Sequence, residues 1–403
     1  MKVTFLGATR QVTGSMFLLE FDNDYKILID CGLDFDRKKT AKKKSLFTFS
    51  PKDIDVLILT HAHLDHSGNI PNLVKEGFEG RIYSTYATYE LSSLLLADGA
   101  NLNQRALKQL NKKEAIPNYI YLARNVQDAL ELFISRDFDQ ETPLTDSIKI
   151  TFKEAGHLLG AASIILEYTE KEETKRILFS GDIGRTTYPL LVSPAKLPPV
   201  DYMVCETTYG NRIHRDLTPP SQILREIIQE TCVDKPGRLI IPAFSVGRTQ
   251  ALLFELNKLY VQKKLPPVKV FSDSPLALKS TQVYRKYVRD LNEEANTFYD
   301  KHKELFDFEN LHYVNDMKSS ELISNYHEPC IIISSSGMVE GGRIEHHIYN
   351  NIENQYATIL FIGYCSEDTF GYELLQKPEY LRTKGKSLKA VSYTHLRAHE
   401  TRH

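Results

Sequence analysis

The sequence predicts an α/β protein of two domains, and three observations support this prediction. The length of 403 residues is more than one compact core usually organises. Residues 1–206 contain short strands separated by turns, which favours a mixed α/β sandwich. From about residue 207 helical and strand patterns alternate, which is typical of a parallel sheet covered on both faces. No low-complexity linker separates the two parts, so we expect one domain to be inserted into the other.

Hydrophobic periodicity locates the individual elements. In the first part it predicts strands over 2–6, 15–21, 25–30, 56–60, 148–154, 163–168 and 176–179. It predicts helices in the same part over 71–76 and 88–99. In the second part it predicts helices over 221–233 and 248–264, and strands over 238–242, 268–271 and 330–334.

Composition argues against several classes of protein. The apolar content of 42% and the charged content of 25% are ordinary for a folded protein, and the net charge of −2 argues against a uniformly basic nucleic-acid binder. The five cysteines are scattered without a CxxC pair, which disfavours a disulfide framework or a thiolate zinc site and fits a reducing cytosol. We see neither a signal-peptide pattern nor an apolar run of roughly 18 residues. We therefore expect a cytoplasmic protein with no membrane partner.

Residues 392–403 differ from the rest of the chain. They contain three histidines and two arginines without any apolar period. We expect this segment to be an anomalous tail, derived from a frame shift or an adapter. It is therefore excluded from the prediction of the fold.

A dense cluster of metal-type ligands follows the strand predicted over 56–60. The run His61-Ala-His63-Leu-Asp65-His66 places three histidines and one aspartate within six residues. Imidazole nitrogens suit zinc and a carboxylate can complete a second metal site, so the run supplies parts of two coordination spheres. The alternative is a histidine-rich surface patch, which so high a density of histidine disfavours.

Further ligands must come from elsewhere, because one metal ion needs at least three protein ligands. His157 stands in Gly-His-Leu-Leu-Gly and Asp182 in Ser-Gly-Asp-Ile-Gly, each directly after a predicted strand. Taken alone, each is more often an ordinary turn residue. The cluster that begins at His61 favours the ligand role for both.

Two more carboxylates follow predicted strands. Asp30 is a metal ligand, a turn residue or, as we favour, a residue that orients a ligating histidine through a hydrogen bond. Glu206 follows the apolar run 203–205 and is either a similar orienting carboxylate or a helix or turn cap.

The order of these residues resembles the metallo-β-lactamase superfamily. Asp30, the run from His61 to His66, His157 and Asp182 follow the order of its first four motifs. Four runs farther on are similar to its β-CASP branch: Glu206-Thr-Thr-Tyr-Gly, Ile241-Pro-Ala-Phe-Ser-Val-Gly-Arg248, Asp273-Ser-Pro-Leu-Ala277 and Ser334-Ser-Ser-Gly-Met-Val-Glu-Gly-Gly-Arg343. That branch contains RNA-processing and DNA-repair nucleases, and the general run of motifs is closer to its bacterial and archaeal RNA-type members. The likeness covers about residues 1–390.

The resemblance implies a metallo-β-lactamase αββα sandwich with an inserted α/β β-CASP domain. The first part of the sandwich would cover 1–206 and the inserted domain 207–362. Residues 363–391 would return to the first domain and be truncated there, before the tail at 392–403.

The resemblance also implies a pair of zinc sites. His61, His63 and His157 would hold one zinc ion, Asp65 and His66 would hold the other, and Asp182 would bridge them. Glu206 would be an acid close to the metals, acting in catalysis together with Asp65 and Asp182.

Two departures from the family pattern affect this expectation. Glu373 stands where eukaryotic RNA-cleaving relatives have the histidine of their motif B, which leaves the identity of the general acid open. The histidine of motif C, which completes the second zinc site in relatives, is not reached before the tail. We therefore expect the second zinc site to be incomplete.

A loop after the strand predicted over 330–334 is a candidate for binding substrate phosphate. Its small residues offer backbone N–H groups to a phosphate, and two arginines could pair with the polymer backbone: Ser334, Ser335, Ser336, Gly337, Arg248 and Arg343. A plain loop is the alternative. His346 and His347 face the substrate cleft or lie on a helix surface. The basic run 37–44 attracts RNA or, as we favour, is a solvated loop.

The function that the resemblance implies is a zinc-dependent ribonuclease that hydrolyses RNA phosphodiester bonds through a two-metal-activated hydroxide. Its partner would be single-stranded RNA, with DNA as an open alternative. Tyr209, Phe244 and Tyr364 are candidates for stacking on bases, although a core role is favoured for each. A metallo-hydrolase of small esters or thioesters and a non-cleaving RNA-binding subunit are the alternatives. The extra domain disfavours the first, and the intact ligand set disfavours the second.

Overall fold

The structure, a computed structural model, describes residues 1–35, 45–109, 119–210, 219–363, 365–367, 369–383 and 386–390. The chain divides into two compact units, Met1–Thr208 and Tyr209–His403, which we call unit 1 and unit 2. Both units combine helices with sheets, so the predicted α/β class is confirmed.

The first sheet of unit 1 has six strands in chain order: β1 (Lys2–Phe5), β2 (Phe17–Glu20), β3 (Lys26–Ile29), β4 (Val56–Ile58), β5 (Arg81–Thr85) and β6 (Phe133–Arg136). Strands β1 to β3 pair antiparallel, whereas β3 to β6 pair parallel. Because parallel strands have their carboxyl ends at the same edge, the residues after β3 and β4 meet there. The backbone N–H of Asp30 donates to the Ile58 carbonyl at 3.0 Å.

The second sheet of unit 1 has five strands: β7 (Thr142–Pro143), β8 (Ile148–Glu154), β9 (Ala162–Glu170), β10 (Glu173–Phe179) and β11 (Tyr202–Val204). Their order is β11-β10-β9-β8-β7, and only the pair β10 and β11 is parallel. Apolar side chains from both sheets form one core, in which Ile29 and Ile58 lie with Ile164 and Phe179. The two sheets therefore pack face to face.

Helices cover the other face of the first sheet. Unit 1 contains α1 (Leu64–Ser67), α2 (Ile70–Lys75), α3 (Tyr86–Gln109) and α4 (Ala123–Leu130), with a short 3-10 helix at Pro51–Asp53. Leu28 and Leu57 belong to a core that also holds Leu73 of α2 and Ala129 of α4. Successive strand residues point to opposite faces, which explains why Leu28 and its neighbour Ile29 enter different cores.

Unit 2 is built on a parallel sheet of β12 (Arg238–Pro242), β13 (Lys269–Asp273), β14 (Leu311–Tyr313), β15 (Cys330–Ser334) and β16 (Ala357–Ile359), in the order β14-β13-β15-β12-β16. All four pairings between these strands are parallel, as the alternating pattern predicted. The carboxyl ends of three neighbouring strands, at Pro242, Asp273 and Ser334, therefore share one edge.

The helices of unit 2 are α5 (Pro220–Ile228), α6 (Arg248–Val261), α7 (Pro275–Lys286), α8 (Glu293–His302), α9 (Met317–Ser324), α10 (Ile344–Tyr349) and α11 (Phe370–Leu375), with a 3-10 turn at Val288–Asp290. The single helix predicted over 221–233 is α-helical only as far as Ile228, and a π-helix continues it over Gln229–Asp234. Within the described parts of the chain, no helix is both long and apolar enough to cross a bilayer.

We expected the segment 363–391 to return to the first domain, but its described residues pack in unit 2 instead. Leu374 of α11 and Leu381 are buried in the same core as Ile332 and Phe361. Leu381 belongs to a two-stranded sheet of β17 (Tyr380–Thr383) and β18 (Lys386–Lys389). This segment packs in unit 2 because the apolar face of α11 covers the core that contains Ile332.

Candidate metal centre

The histidine run begins just beyond the carboxyl end of β4. His61 is fully buried, His63 precedes the first turn of α1, and Asp65 and His66 lie within α1. The Ser67 hydroxyl donates to the carbonyls of Ala62 at 2.8 Å and His63 at 3.0 Å. These bonds hold the strand-to-helix turn that carries the histidines.

Four of the predicted ligands converge on one point. Nε2 of His61 and Nε2 of His157 each lie 3.1 Å from Nδ1 of His63. Oδ2 of Asp182 lies 3.4 Å from His157 Nε2 and 3.8 Å from His61 Nε2, and all four ligand atoms lie within 4.8 Å of one another. Zinc–nitrogen bonds of about 2.0–2.1 Å place tetrahedral ligands roughly 3.3 Å apart, so this set of donors fits a zinc-sized ion.

The second oxygen of Asp182 faces a different histidine. Oδ1 of Asp182 lies 3.2 Å from Nε2 of His66, whose Nδ1 lies 2.6 Å from Oδ2 of Asp30. One oxygen of Asp182 therefore faces His61 and His157 and the other faces His66, as a carboxylate that bridges two metal sites requires. In the described residues, neither Asp65 nor His66 belongs to a group of three or more convergent ligand atoms.

Burial and neighbouring charges set the protonation of these groups. Burial holds the pKa of His61 well below its usual value, and the nearby His66 lowers it further, which keeps His61 a neutral ligand. Burial would raise the pKa of Asp182, but His66 and His157 hold it well below its usual range. Burial raises the pKa of Asp65 to about 6, against an opposing effect of His66.

Asp30 and Thr60 form hydrogen bonds that hold His61 and His66 in place. Asp30 is 1% exposed and has a left-handed backbone with φ of 57°. The Thr60 hydroxyl lies 3.0 Å from both carboxylate oxygens of Asp30 and 3.1 Å from His61 Nδ1, and the Thr60 N–H donates to Asp30 Oδ1 at 2.8 Å. Sequence analysis missed Thr60, because a threonine that ends a strand carries no signal beyond its β-branched shape.

Glu206 forms hydrogen bonds on either side of Asp182 in the sequence, with Ser180 and Ile183. Its carboxylate accepts from Ile183 N–H at 3.2 Å and Thr208 N–H at 3.1 Å, and its own N–H donates to the Ser180 hydroxyl at 3.0 Å. These hydrogen bonds fit a residue that positions the turn carrying Asp182.

A close backbone contact joins the loops of Asp182 and His157. A Cβ atom placed on Gly184 would lie 1.7 Å from the Gly156 carbonyl oxygen and 2.7 Å from the His157 nitrogen. Only glycine allows this approach, and the Gly184 N–H donates to the Ala155 carbonyl at 2.8 Å. The glycines that flank both ligands in the sequence therefore bring the two loops together.

In unit 2, the predicted phosphate loop Ser334 to Gly337 begins at the last residue of β15. The hydroxyls of Ser245 and Ser335 each lie 3.1 Å from that of Ser274. Ser336 bonds within its own loop, accepting from Glu340 N–H at 2.9 Å. Gly337 lies against Phe244, which is half-buried. The three neighbouring hydroxyls follow three adjacent strands, and the roles of Ser245 and Ser274 were missed because their loops are far apart in sequence.

Two expectations for unit 2 need correction. The Arg343 guanidinium donates to Asp273 Oδ1 at 2.7 Å and to the carbonyls of Val314 and Asn315, so three of its five N–H donors bind unit 2 itself. His347 is neither at a cleft nor on a helix surface, because it is 0% exposed and its Nε2 lies 2.7 Å from Asp273 Oδ2. His346 is partly buried beside it.

Several predicted features lie outside the described residues, namely Tyr364, the basic run 37–44 and the tail 392–403. Glu373 lies on α11 and is exposed. Arg248 begins α6 and is partly buried.

Comparison with known proteins agrees with this geometry. The profile of the metallo-β-lactamase superfamily matches residues 9–216, and that of the β-CASP domain matches residues 249–374.

Three relatives match nearly the whole chain. Ribonuclease TTHA0252 of Thermus thermophilus is 31% identical over 396 residues, which cover 98% of this chain and 86% of that protein. An RNase J-like protein of Methanocaldococcus jannaschii is 30% identical over 374 residues, or 92% of this chain and 79% of that one. Transcription termination factor FttA of Methanosarcina mazei is 30% identical over 96% of this chain, which spans 59% of that factor's length. The chain belongs to the metallo-β-lactamase superfamily and, within it, to the β-CASP family.

Proposed function

We propose that this protein is a zinc-dependent ribonuclease that hydrolyses phosphodiester bonds of single-stranded RNA. The observation that carries the proposal is the convergence of His61, His63, His157 and Asp182, whose ligand atoms lie within 4.8 Å of one another. The names of the relatives, a ribonuclease and an RNase J-like protein among them, support RNA as the substrate. An RNA substrate and free cysteines also fit a cytoplasmic protein.

The residues divide into two sets around Asp182. His61, His63 and His157 would hold one zinc ion, and His66 with Asp65 would contribute to a second. When bound, two such ions supply Lewis-acid polarisation of the phosphate and activation of a water at neutral pH. Asp30 fixes the orientation of the His66 ring through the bond at 2.6 Å. Glu206 holds the turn at Ile183, next to Asp182.

Unit 2 would bind the RNA backbone. The three hydroxyls of Ser245, Ser274 and Ser335 lie at the carboxyl ends of parallel strands. Helices α6 and α7 begin shortly after two of these strand ends. Helix amino termini and hydroxyls favour anions, so these residues and the backbone from Ser334 to Gly337 suit a phosphate. Arg248, at the start of α6, would add a positive charge.

The test is cleavage of labelled single-stranded RNA and of DNA of the same sequence, with metal content measured on the same sample. We expect bound zinc, cleavage of RNA, loss of cleavage in chelator and recovery when zinc is restored. His63→Ala should lose both zinc and cleavage, whereas His302→Ala, at the end of α8, is the matched control and should lose neither. A pure sample that binds no zinc and leaves RNA intact would refute the proposal. Cleavage of DNA but not of RNA would show that the substrate is DNA.

A further inference from the structure

We propose that Asp273 is a positioning residue that fixes both ends of the loop Ser334 to Arg343, and thereby sets the affinity of unit 2 for RNA phosphate. The proposal rests on the proposed function, because it assigns to this loop a share of RNA binding. Asp273 itself is 0% exposed and does not meet the substrate.

The Asp273 carboxylate contacts three side chains of unit 2, one from α9 and two from the start of α10. Oδ1 accepts from Arg343 Nη1 at 2.7 Å. Oδ2 accepts from the Ser320 hydroxyl of α9 at 2.5 Å and lies 2.7 Å from Nε2 of His347 in α10. A buried carboxylate that is paired with a guanidinium and fully hydrogen-bonded is costly to disturb.

The loop is attached to Asp273 at its first and its last residue. The hydroxyl of Ser334 donates to the Asp273 backbone carbonyl at 2.9 Å, and Arg343 binds the Asp273 carboxylate. Between these points the backbone of Val339 is left-handed, with φ of 60°, a conformation that residues with a side chain rarely adopt. A loop in such a conformation keeps it only where its surroundings hold it.

The same attachment places the hydroxyls beside one another. Ser274 directly follows Asp273, caps α7 by accepting from Ala277 N–H at 3.2 Å, and lies 3.1 Å from the Ser335 hydroxyl. Asp273 therefore holds the start of the loop beside Ser274 through its backbone carbonyl, and it holds the end of the loop through its carboxylate. A shift of the loop would separate the hydroxyls of Ser274 and Ser335 and reduce the affinity for phosphate.

A metal site is the competing interpretation, because Asp273, His346 and His347 have ligand atoms close together. The Arg343 cation, however, occupies one carboxylate oxygen, and the separation of 2.7 Å from His347 is that of a hydrogen bond. Adjacent ligands of a tetrahedral zinc would lie roughly 3.3 Å apart. The contacts thus favour a hydrogen-bonded network over an ion.

The test compares Asp273→Asn with the wild-type full chain in two measurements. Steady-state cleavage of single-stranded RNA gives KM and kcat, and fluorescence anisotropy in chelator gives the Kd of the same RNA without any metal. We expect KM and Kd to rise about tenfold while kcat changes less than about twofold, because the network affects binding and not the metal centre. Asp307→Asn changes an exposed aspartate of unit 2 and should leave all three values unchanged.

Ser320→Ala keeps the experiment decisive if Asp273→Asn does not fold. It removes one donor to the carboxylate from α9, outside the loop, and should raise KM and Kd about twofold to threefold at constant kcat. The proposal is overturned if folded variants bind RNA like the wild type, or if kcat falls while KM and Kd stay constant. If the wild type cleaves no RNA, the proposed function fails, and the Kd measurement still decides the role of Asp273.

Discussion

Nδ1 of His66 lies 2.6 Å from Oδ2 of Asp30, a carboxylate that is almost completely buried. A hydrogen bond of this length fixes the orientation of the ring, so that Nε2 is the nitrogen available to a metal ion. Nε2 of His66 lies toward Asp182, so the bond to Asp30 prepares His66 to act as a ligand.

Asp30→Asn should weaken metal binding at the His66 side of the centre. The amide keeps the size of the side chain but is a weaker acceptor, and the loss of such an orienting partner typically costs about 10–100-fold in metal affinity. Competition with a chromophoric zinc chelator measures the effect. Asp137→Asn, an exposed aspartate of unit 1, is the control. Equal affinities for the two variants would contradict the orienting role.

Gly184→Ala should also weaken zinc binding, although Gly184 offers no ligand. The added Cβ would lie 1.7 Å from the Gly156 carbonyl oxygen, so the loop that carries His157 must move. We expect at least about tenfold weaker zinc binding in the same chelator competition. Gly363→Ala places its Cβ 3.7 Å from Phe244, an ordinary contact, and should bind zinc normally. Normal binding by Gly184→Ala would show that the loops adjust freely.

Arg248→Ala should reduce the salt dependence of RNA binding. If Arg248 neutralises one phosphate of a single strand, the slope of log Kd against log salt should fall by about 0.7. Anisotropy titrations from low to moderate salt in chelator give the slope. Lys301→Ala removes an exposed charge from α8 and should keep the wild-type slope. An unchanged slope for Arg248→Ala would remove Arg248 from the phosphate site.

Asp273→Asn should destabilise unit 2 at neutral pH and progressively less in acid. Burial alone would raise the pKa of Asp273, but hydrogen bonds from His347, Ser320 and Arg343 hold it below its usual value. The stability from the ionised carboxylate is therefore complete above the unfolded pKa of about 3.9 and is lost as the pH falls through the lower folded pKa.

Urea unfolding at a series of pH values from 7 to 3 tests this prediction. Removal of one partner of a buried ion pair typically costs about 3–5 kcal/mol, so the gap between Asp273→Asn and the wild type should be of that order at pH 7. It should narrow below about pH 4. A gap that is constant over this range would show that the charge of Asp273 does not stabilise the fold.

Strong periodicity made much of the fold predictable from the sequence. Strands over Ile148–Glu154, Arg238–Pro242 and Cys330–Ser334 have the predicted bounds. Apolar and polar residues alternate in the first, and consecutive apolar residues dominate the other two. The destination of 363–391 was not predictable in this way. Its apolar residues show that it is buried, but not in which of two cores.

The candidate site was predictable where its residues are local or follow strands. His61, His63 and His66 lie within six consecutive residues. The partners of Asp273, by contrast, are separated from it in sequence by 47 residues for Ser320, 70 for Arg343 and 74 for His347. Pairing over such separations depends on the strand order of the sheet, which periodicity does not specify. Arg343 was therefore assigned to substrate, although it neutralises a carboxylate of its own unit.

The separate cores of the two units have a consequence for how stability is measured. Ile58 and Phe179 lie in a core made of residues from unit 1, whereas Ile332 and Leu374 lie in one made of residues from unit 2. Thermal unfolding should then show two steps, and a single midpoint would not describe the whole chain. All the proposed zinc ligands belong to unit 1, so added zinc should raise only the midpoint of unit 1. A calorimetric scan with and without zinc would thus assign each transition to its unit.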